Sequence, residues 1–349
     1  MEPLDDTKFS GTKEVAEHLT IEALKLQPWI DEFVPEAGKI NSIEQFKGGQ
    51  SNPTYKITTD TKSLVLRRKP PGKLLPSAHA VDREYKVITA LYETDVPVPK
   101  TYGLCEDDDV AGTAFFVMDF LDGDLFWDPM IPSVTNIDRT EIYQNKNKTL
   151  AKLHSVDYKK IGLESYGKPG NYVARQVSRW SKQYRASETD DIEAMNNLIE
   201  WLPKNIPDDD ETSIVHGDYR LDNMILKNNE VMGILDWELS TLGHPIADFS
   251  YHCLSWRTQE AFWDQAKLKD LGIPNEREYM DMYCENTGKD LSKNWEFYMA
   301  FNMFKIAGIL QGILGRVRDG TASSKHAKDR GMMVFPLSKA AWDIIENNF

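Results

Sequence analysis

The sequence is poor in cysteine, which limits the kinds of site that it can contain. Cys105, Cys253 and Cys284 are its only cysteines, and no two of them are close in sequence. Structural zinc sites and disulfide frameworks need paired cysteines or Cys/His clusters at short spacing. Neither is expected here, and the scattered thiols predict a reducing compartment, the cytoplasm.

Long apolar runs are also lacking. The most apolar stretch, from Trp295 to Val317, is interrupted by Asn302, Lys305, Gln311 and Arg316. A membrane-spanning helix needs about 20 predominantly apolar residues, so this pattern predicts the buried helix of a soluble protein. Residues 1–14 are polar and lack the charged-then-apolar order of a signal peptide. We therefore expect no membrane partner.

Positive charge is in deficit. The chain has 41 Lys and Arg against 55 Asp and Glu, a formal net charge of −14. Nucleic-acid-binding proteins concentrate basic residues, so no nucleic-acid partner is expected. Hydrophobic residues make up 41% and charged residues 28% of the 349 positions. This composition is typical of a globular protein, and the length suits one two-lobed unit or two domains.

The periodicity of apolar residues divides the chain into a strand-rich first third and a helical remainder. It predicts strands over 42–46, 54–58, 63–67, 100–104 and 114–118, and helices over 14–29 and 80–92. Beyond these it predicts helices over 138–155, 173–186, 190–202, 259–268, 276–286, 293–318 and 326–346, with a non-helical island over 213–237. The sequence thus predicts an α+β fold, with a small antiparallel sheet lobe over 1–120 and a larger, mostly helical lobe over 121–349.

The non-helical island contains the strongest motif, residues 214–223, which reads Ile-Val-His-Gly-Asp-Tyr-Arg-Leu-Asp-Asn. An apolar strand leads into Asp218, and Asn223 follows five residues later. A carboxylate in such a loop can orient a hydroxyl group and accept its proton. An amide oxygen at the far end can hold a metal ion without adding negative charge.

A second apolar strand ends in another carboxylate, Asp236. A turn at Asn228 and Asn229 would place Asp236 beside Asn223, where the two oxygen donors suit Mg²⁺. The alternative is a hairpin whose acidic ends are merely solvated. The two motifs in this order and spacing favour the metal site.

A glycine-containing loop precedes the second predicted strand and includes Gly48, Gly49, Ser51 and Asn52. Small residues allow backbone N–H groups to approach phosphates closely. Two glycines between strands are more often only a hairpin turn, so this loop predicts a phosphate contact only together with the other motifs.

The third predicted strand ends in a cation, Arg67, and Glu84 lies on the helix that follows. A strand cation that contacts phosphates and is held by a helix carboxylate is a recurrent nucleotide-binding device. The alternative is an exposed strand end with solvated charges. Arg68 and Lys69 are adjacent, and which of the three cations faces inward depends on a strand phase that the sequence leaves open.

The last strand of the first third runs into a predicted linker. Met118, Asp119 and Phe120 lie at this point. Their backbone is where the edge of an adenine ring could form hydrogen bonds, although an ordinary core strand would have the same sequence character.

In this order, over about residues 40–320, the motifs resemble the aminoglycoside phosphotransferase/choline kinase family. More narrowly, the chain is similar to the kinase-type domain associated with some acyl-CoA dehydrogenases, on residues 66–79, 216–223, 236–243 and 311–323. The resemblance implies a bilobal protein-kinase-like fold. It also implies ATP or GTP and Mg²⁺ as cofactors, a nucleotide-binding lobe over 1–120, and a small-molecule hydroxyl substrate.

The resemblance implies roles for individual residues as well. Asp218 would be the catalytic base, Asn223 and Asp236 the metal ligands, and Arg67 the partner of Glu84. Asp248 would buttress the catalytic loop, although it could equally complement a helix dipole. His216 would hold the loop by hydrogen bonds, and His154 reads as a packing histidine.

The acceptor is less well defined by the resemblance. A hydroxy acid or hydroxyacyl-CoA is implied, with Arg220, Arg316 and Arg318 as candidate contacts for its acid or phosphate groups. Arg316 and Arg318 could equally complement a helix C-terminus. Glu238 could contact a second metal ion or the acceptor, or pair with Arg220. The alternatives are an aminoglycoside-type acceptor or a nucleotide-binding pseudokinase, and the protein is expected to be a monomer or homodimer.

Overall fold

A computed structural model describes residues 10–48, 52–72, 79–322 and 324–349 of the chain. The strands over these residues, β1–β10 in chain order, are Thr12–Lys13, Ile40–Phe46, Thr54–Thr59, Ser63–Arg68, Thr101–Cys105, Phe115–Asp119, Ser213–Val215, Met224–Lys227, Glu230–Ile234 and Thr241–Gly243. The α-helices, α1–α13, are Ala23–Phe33, Val81–Leu91, Asp108–Ala111, Asn136–Ser155, Tyr172–Ser187, Glu193–Trp201, Pro245–Cys253, Ser255–Thr258, Gln265–Asp270, Glu276–Thr287, Trp295–Arg318, Ala327–Met332 and Val334–Asn348.

The first six strands form one antiparallel sheet in the order β1-β2-β3-β4-β6-β5. Strand β3 alternates buried and partly buried positions, the pattern of a strand with one face on a core. The predicted strands of the first third are all present within two residues of their expected ends. The α+β fold, with an antiparallel N-terminal sheet and a mostly helical remainder, is confirmed.

Helix α1 covers one face of this sheet. Its buried side chains Leu26, Trp29 and Ile30 belong to the same apolar cluster as Leu64 and Leu66 of β4. Successive side chains of a strand point to opposite faces. Arg67 must therefore face away from α1, and Arg68 must face toward it.

The contacts of Arg68 agree with this phase. Its guanidinium lies over the ring of Tyr55, 5.2 Å from the centroid, and donates to the carbonyl oxygens of Leu19 and Ala111. All three partners lie on the α1 side of the sheet or in the segments next to it. The tertiary structure thus decides which of the adjacent cations is available to a site on the other face.

Three helix predictions are wrong. The helix expected over 14–29 is instead a 3₁₀ turn over Glu17–Leu19 followed by α1, because the residues that pack on the sheet are Leu26, Trp29 and Ile30. The helix expected over 259–268 is a 3₁₀ turn followed by α9, which begins where Asp264 accepts a hydrogen bond from the Lys267 N–H. The helix expected over 326–346 is divided into α12 and α13 at Met333.

The residues group into two compact units, each discontinuous in sequence. The first comprises the described part of Met1–Lys152 together with Val156–Tyr166 and Asp218–Ser240. The second comprises Leu153–Ser155, Gly167–Gly217 and the described part of Thr241–Phe349. The predicted lobes are contiguous, and their boundary at residue 120 stays a prediction.

Helix α11 runs through the second unit. It packs against α5, α7, α12 and α13, and most of its first fifteen residues are buried. By length and composition it could cross a membrane, since its most apolar window has a mean hydropathy of 1.3. That window is 72% buried inside the protein, as the core helix of a soluble protein would be.

Candidate functional site

A tight hairpin brings Asn223 and Asp236 together in the first unit. Strands β8 and β9 pair from Met224↔Ile234 to Lys227↔Glu230, with Asn228 and Asn229 at the turn. Both asparagines have positive φ (52° and 65°), which suits the two-residue turn that closes a twisted hairpin. The predicted hairpin is therefore present.

Just beyond the paired positions, the Leu235 N–H donates to the Asn223 carbonyl oxygen at 2.8 Å. Asp236 follows with left-handed backbone angles, φ 60° and ψ 60°. A non-glycine residue in this region is uncommon, and such strain concentrates at functional sites. The turn places the Asp236 carboxylate at the end of the hairpin that also carries Asn223.

Asn223 in turn contacts Asp218. The Asn223 Nδ2 donates to the Asp218 backbone oxygen at 2.9 Å and to its carboxylate Oδ2 at 3.2 Å. Because both contacts use the amide nitrogen, the amide oxygen of Asn223 remains for another partner. Asp218, Asn223 and Asp236 therefore form one continuous polar site in the first unit.

Arg67 and Glu84 also belong to this site. The Arg67 Nε lies 2.9 Å from Glu84 Oε2, and its Nη2 lies 2.5 Å from Asp236 Oδ1. The side chains of Arg67 and Glu84 are only 9% and 1% exposed. The ion pair expected from sequence is present, and the tertiary structure adds Asp236 to it.

The charges of this group shift its pKa values. Burial alone would lower the pKa of Arg67, but Glu84 and Asp236 outweigh that effect and raise it above its ordinary value. Burial raises the pKa of Glu84 to about 7, against the lowering effect of Arg67. Asp236 and Glu238 also raise the pKa of Glu84 by their negative charge. Arg67 is therefore always charged, whereas Glu84 titrates near neutrality.

Asn52 extends the group on the other side of Glu84. Its Nδ2 donates to Glu84 Oε1 at 2.9 Å, and its side chain is fully buried. Its Oδ1 lies 3.1 Å from His79 Nδ1, which must be the donor because an amide oxygen only accepts. Asn52 therefore supports Glu84 through its side chain, and a phosphate contact by its backbone stays a prediction. Gly48 lies in the turn after β2, while Gly49 and Ser51 fall outside the described residues.

The predicted nucleobase-binding segment lies at the end of β6. The Asp119 carboxylate binds Lys62 Nζ at 2.9 Å and the Tyr102 hydroxyl at 2.7 Å, and its N–H donates to the Lys100 carbonyl. The ring of Phe120 stacks on Phe46 with 6.4 Å between centroids. Met118 is buried in the strand. These contacts fix the segment, and its role toward a nucleobase stays a prediction.

The second unit holds the residues that precede Asp218 in the chain. The Asp248 carboxylate accepts from the N–H groups of His216 at 2.8 Å and Gly217 at 2.9 Å. His154 Nε2 lies 3.2 Å from the same carboxylate, and its Nδ1 lies 2.6 Å from the Tyr283 hydroxyl. Burial would raise the pKa of Asp248, but His154 and His216 lower it below its ordinary value. Asp248 is thus a buried anchor for the strand end that leads into Asp218.

Comparison with known proteins places the chain in a family. The sequence profile described as the "Phosphotransferase enzyme family" matches residues 42–283, which include every residue of the polar site. The chain belongs to the phosphotransferase enzyme family. This confirms the resemblance inferred from the motifs and the kinase-like fold that it implies.

Three comparisons show how far the similarity extends. Acyl-CoA dehydrogenase family member 10 of Mus musculus is 46% identical over 306 residues, which cover 86% of this chain but only 29% of that protein. The crystal structure of a putative aminoglycoside phosphotransferase from Ralstonia eutropha JMP134 is 47% identical, has a TM-score of 0.87, and matches 95% of this chain and 100% of its own. A ternary complex of aminoglycoside phosphotransferase APH(4)-Ia with ADP and hygromycin B is 12% identical, with a TM-score of 0.60 over 91% of this chain and 98% of its own. The last likeness shows the fold alone.

Members of the phosphotransferase enzyme family are small-molecule phosphotransferases, and the predicted substrate residues can be located within that frame. Arg220 pairs with Asp218 at 3.3 Å and with Asp222 at 2.7 Å. A contact of Arg220 with Glu238 stays a prediction. Glu238 is half-buried, and its charge acts on Arg67 and Glu84.

Arg316 and Arg318 lie in the last turn of α11, in the second unit, and both are exposed. The Arg318 Nε binds Asp319 at 2.8 Å, and its Nη1 donates to the Glu188 carbonyl oxygen at 2.8 Å. Cations at a helix C-terminus complement its dipole. Both interpretations of this pair stay open, and their contact with an acceptor stays a prediction.

The oxygen donors of the site fit Mg²⁺. Among the described residues there is no cluster of three or more His, Cys, Asp or Glu side chains that could hold a metal ion. Phosphotransferase sites hold Mg²⁺ with one or two protein oxygens and the phosphates of the nucleotide. The amide oxygen of Asn223 and the carboxylate of Asp236 are hard donors of this kind, on one short hairpin.

Sequence reasoning missed two features of the site. Nothing in the spacing of Asn52, His79 and Glu84 indicates that they form one hydrogen-bonded chain. His154 was interpreted only as a packing residue, although it also binds Asp248.

Proposed function

We propose that this protein transfers the γ-phosphoryl group of ATP or GTP, with Mg²⁺, to a hydroxyl group of a small-molecule metabolite. We further propose that the acceptor is a hydroxy acid or a hydroxyacyl-CoA. The observation that carries the proposal is the site in the first unit, where Asp218, Asn223 and Asp236 are joined to Arg67 and Glu84. Membership of the phosphotransferase enzyme family supports the reaction class.

Asp218 is the proposed catalytic base. Its side chain is 23% exposed, so an acceptor can reach it, and its Oδ2 is oriented by the amide of Asn223. A carboxylate so held can align the attacking hydroxyl and accept its proton. Phosphoryl transfer leaves the protein little covalent work, so position and electrostatics would supply most of the rate.

Asn223 and Asp236 would hold the metal ion, and Arg67 would contact the phosphates. Mg²⁺, when bound, supplies positive charge to the oxygens of the transferring group. The Arg67 guanidinium adds a permanent charge, since Glu84 and Asp236 keep it ionised. Arg67 offers a planar fork of donors where a lysine would offer one point charge.

The acceptor class is proposed from the relatives and from chemistry. The similar region of the mouse relative belongs to a protein named for acyl-CoA dehydrogenation. Phosphorylation of a hydroxyacyl group converts a poor leaving group into a good one, which prepares a later elimination. Arg220, which lies 3.3 Å from the Asp218 carboxylate, adds a positive charge where an acidic acceptor would approach.

The test is Mg²⁺-dependent consumption of ATP and of GTP with a panel of acceptors. The panel contains hydroxyacyl-CoAs, free hydroxy acids, choline-like amino alcohols and aminoglycosides, with Asp218→Asn as the inactive control. Turnover with hydroxy acids or hydroxyacyl-CoAs, lost in the variant, would support the proposal. Turnover with aminoglycosides only would replace the acceptor class, and nucleotide binding without turnover on any acceptor would favour a pseudokinase.

Two further expectations are also proposals. The scattered cysteines support a cytoplasmic location, and their side chains are all free thiols in the structure. The oligomeric state is proposed to be a monomer or homodimer. Size-exclusion chromatography with light scattering would distinguish these two.

A further inference from the structure

A basic groove lies along helix α5 of the second unit. A shallow, open groove is lined there by Ala174, Arg175, Ser178, Arg179, Lys182 and Gln183. Positions four residues apart share a face of a helix, so these residues form one continuous stripe over three turns. The opposite face of α5 is buried through Val173, Val177 and Tyr184.

The cations of this groove are not compensated by acids. Arg179 and Lys182 are exposed, and over the described residues neither forms an ion pair with a carboxylate. Arg175 donates only to backbone carbonyl oxygens, those of Gly170 and Lys168. In a protein with a net charge of −14, such a group of cations leaves a local excess of positive charge.

Helix α11 adds a fourth cation. Gly312 of α11 marks the point where the two helices meet, because a Cβ atom at this position would lie 3.5 Å from Gln183 Nε2 and 3.9 Å from Arg316 Nη1. Gln183, at the end of the groove, and Arg316 therefore border the same point. Arg316 also has no carboxylate partner within the part of the chain that the structure describes. The groove thus gathers four positive charges from two packed helices.

We propose that this groove binds the phosphate-bearing end of a coenzyme-A-linked acceptor. The inference rests on the proposed function, because it names where such an acceptor is held. Coenzyme A carries a diphosphate and a phosphomonoester, and guanidinium groups bind phosphates with paired hydrogen bonds. Four cations match that charge. A polycationic acceptor would be repelled from the same surface.

The experiment measures binding without turnover. Coenzyme A, dephospho-coenzyme A and pantetheine are titrated calorimetrically into the full chain, with the nucleotide site saturated by ADP. We expect coenzyme A to bind, the dephospho form to bind more weakly, and pantetheine not to bind. The double variant R179E/K182E should weaken coenzyme A binding at least tenfold, and added salt should weaken it in the wild type. The double variant K267E/K269E, which makes the same charge change on exposed residues of α9, should not.

Turnover separates failure of the groove from failure of the proposed function. With a hydroxyacyl-CoA, R179E/K182E should raise KM at least tenfold with little change in kcat, and the KM of the matching hydroxyacyl-pantetheine should not change. Loss of coenzyme A binding in the variant, with no turnover on any acceptor, would support the groove and contradict the kinase activity. Equal affinity of wild type and R179E/K182E for coenzyme A, or preference for nucleic acid or anionic vesicles, would overturn the groove.

Discussion

Arg67 and Asp236 are 169 positions apart in sequence, yet the Arg67 Nη2 lies 2.5 Å from Asp236 Oδ1. The same guanidinium binds Glu84 through Nε. One cation on the sheet therefore joins the helix carboxylate to the carboxylate at the hairpin end. The proposed phosphate ligand and one proposed metal ligand are therefore in direct contact.

Substitution of the proposed base should separate binding from chemistry. Asp218→Asn keeps the shape of the side chain but removes its ability to accept a proton. We expect nucleotide affinity to stay within about twofold and turnover to fall by about 10²- to 10⁴-fold. Calorimetry with a nucleotide and steady-state kinetics measure the two quantities. Asp122→Asn, at a side chain that is 89% exposed, is the control, and equal loss of binding and turnover in Asp218→Asn would contradict its role.

Replacement of Arg67 by lysine should show how much the several donors of the guanidinium group contribute to ATP binding. Lysine keeps the charge but cannot reach Glu84 and Asp236 through separate nitrogens. We expect the KM for ATP to rise about tenfold, which corresponds to about 1.4 kcal/mol. Arg68→Lys is the matched control, because Arg68 is the next residue of the strand and faces α1. That variant should lose stability with little change in KM, and equal KM effects in both would argue against a phosphate contact by Arg67.

Removal of the Asp236 carboxylate should abolish the Mg²⁺ dependence of nucleotide binding. In the Asp236→Ala variant, Asn223 would be the only proposed protein ligand left. Because Mg²⁺ is usually bound through one or two carboxylates together with the phosphates, loss of this carboxylate should remove the metal site. Nucleotide titrations with Mg²⁺ and with EDTA measure the effect. If the Mg²⁺ dependence of the variant matches that of the wild type, Asp236 is not a metal ligand.

The raised pKa of Glu84 predicts a pH-dependent stability. The folded state holds the Glu84 proton more tightly than the unfolded state, with a pKa of about 7 against 4.5. The stabilisation of the folded state that results from this tighter protonation is complete below pH 4.5. It is lost as the pH rises through 7, with a slope of at most about 1.4 kcal/mol per pH unit for one proton. Urea unfolding of wild type and Glu84→Gln between pH 5 and 8 should show the free energy of unfolding of the wild type fall relative to that of the variant as the pH rises, because the amide does not titrate. Parallel curves for the two proteins would show that Glu84 does not titrate in this range.

Asp248, which holds the backbone just before Asp218, should affect both stability and rate. Asp248→Ala leaves the buried N–H groups of His216 and Gly217 without their acceptor, at a cost of about 2 kcal/mol or more. We expect a lower Tm and a lower kcat with an unchanged KM for ATP. Asp329→Ala removes an exposed acid from the first turn of α12 and should cost about 0.5 kcal/mol. If Asp248→Ala and Asp329→Ala change Tm and kcat to the same extent, Asp248 acts only on the helix dipole.

Much of the fold could be predicted from the sequence because it depends on local patterns. Alternation identified the sheet strands, and Asn228 and Asn229 identified the turn between β8 and β9. The helix expected over 14–29 was wrong, since apolar spacing at Val15, Leu19 and Ala23 does not show which side chains meet the sheet. The break at Met333 was missed for a similar reason, because one apolar face continues across it.

The sequence by itself determined the order of the motifs, the family to which the chain belongs, and the identities of Asp218, Asn223, Asp236 and Arg67. Only the tertiary structure decided that Arg67 rather than Arg68 faces the site, and that Asn52 supports Glu84. The reason is physical. Residue types and spacings are properties of a short segment, whereas the face of a strand and the partner of a buried charge depend on segments far apart in the chain. Packing of α1 on one side of the sheet determines the phase of β4, and the phase determines which cation meets Asp236.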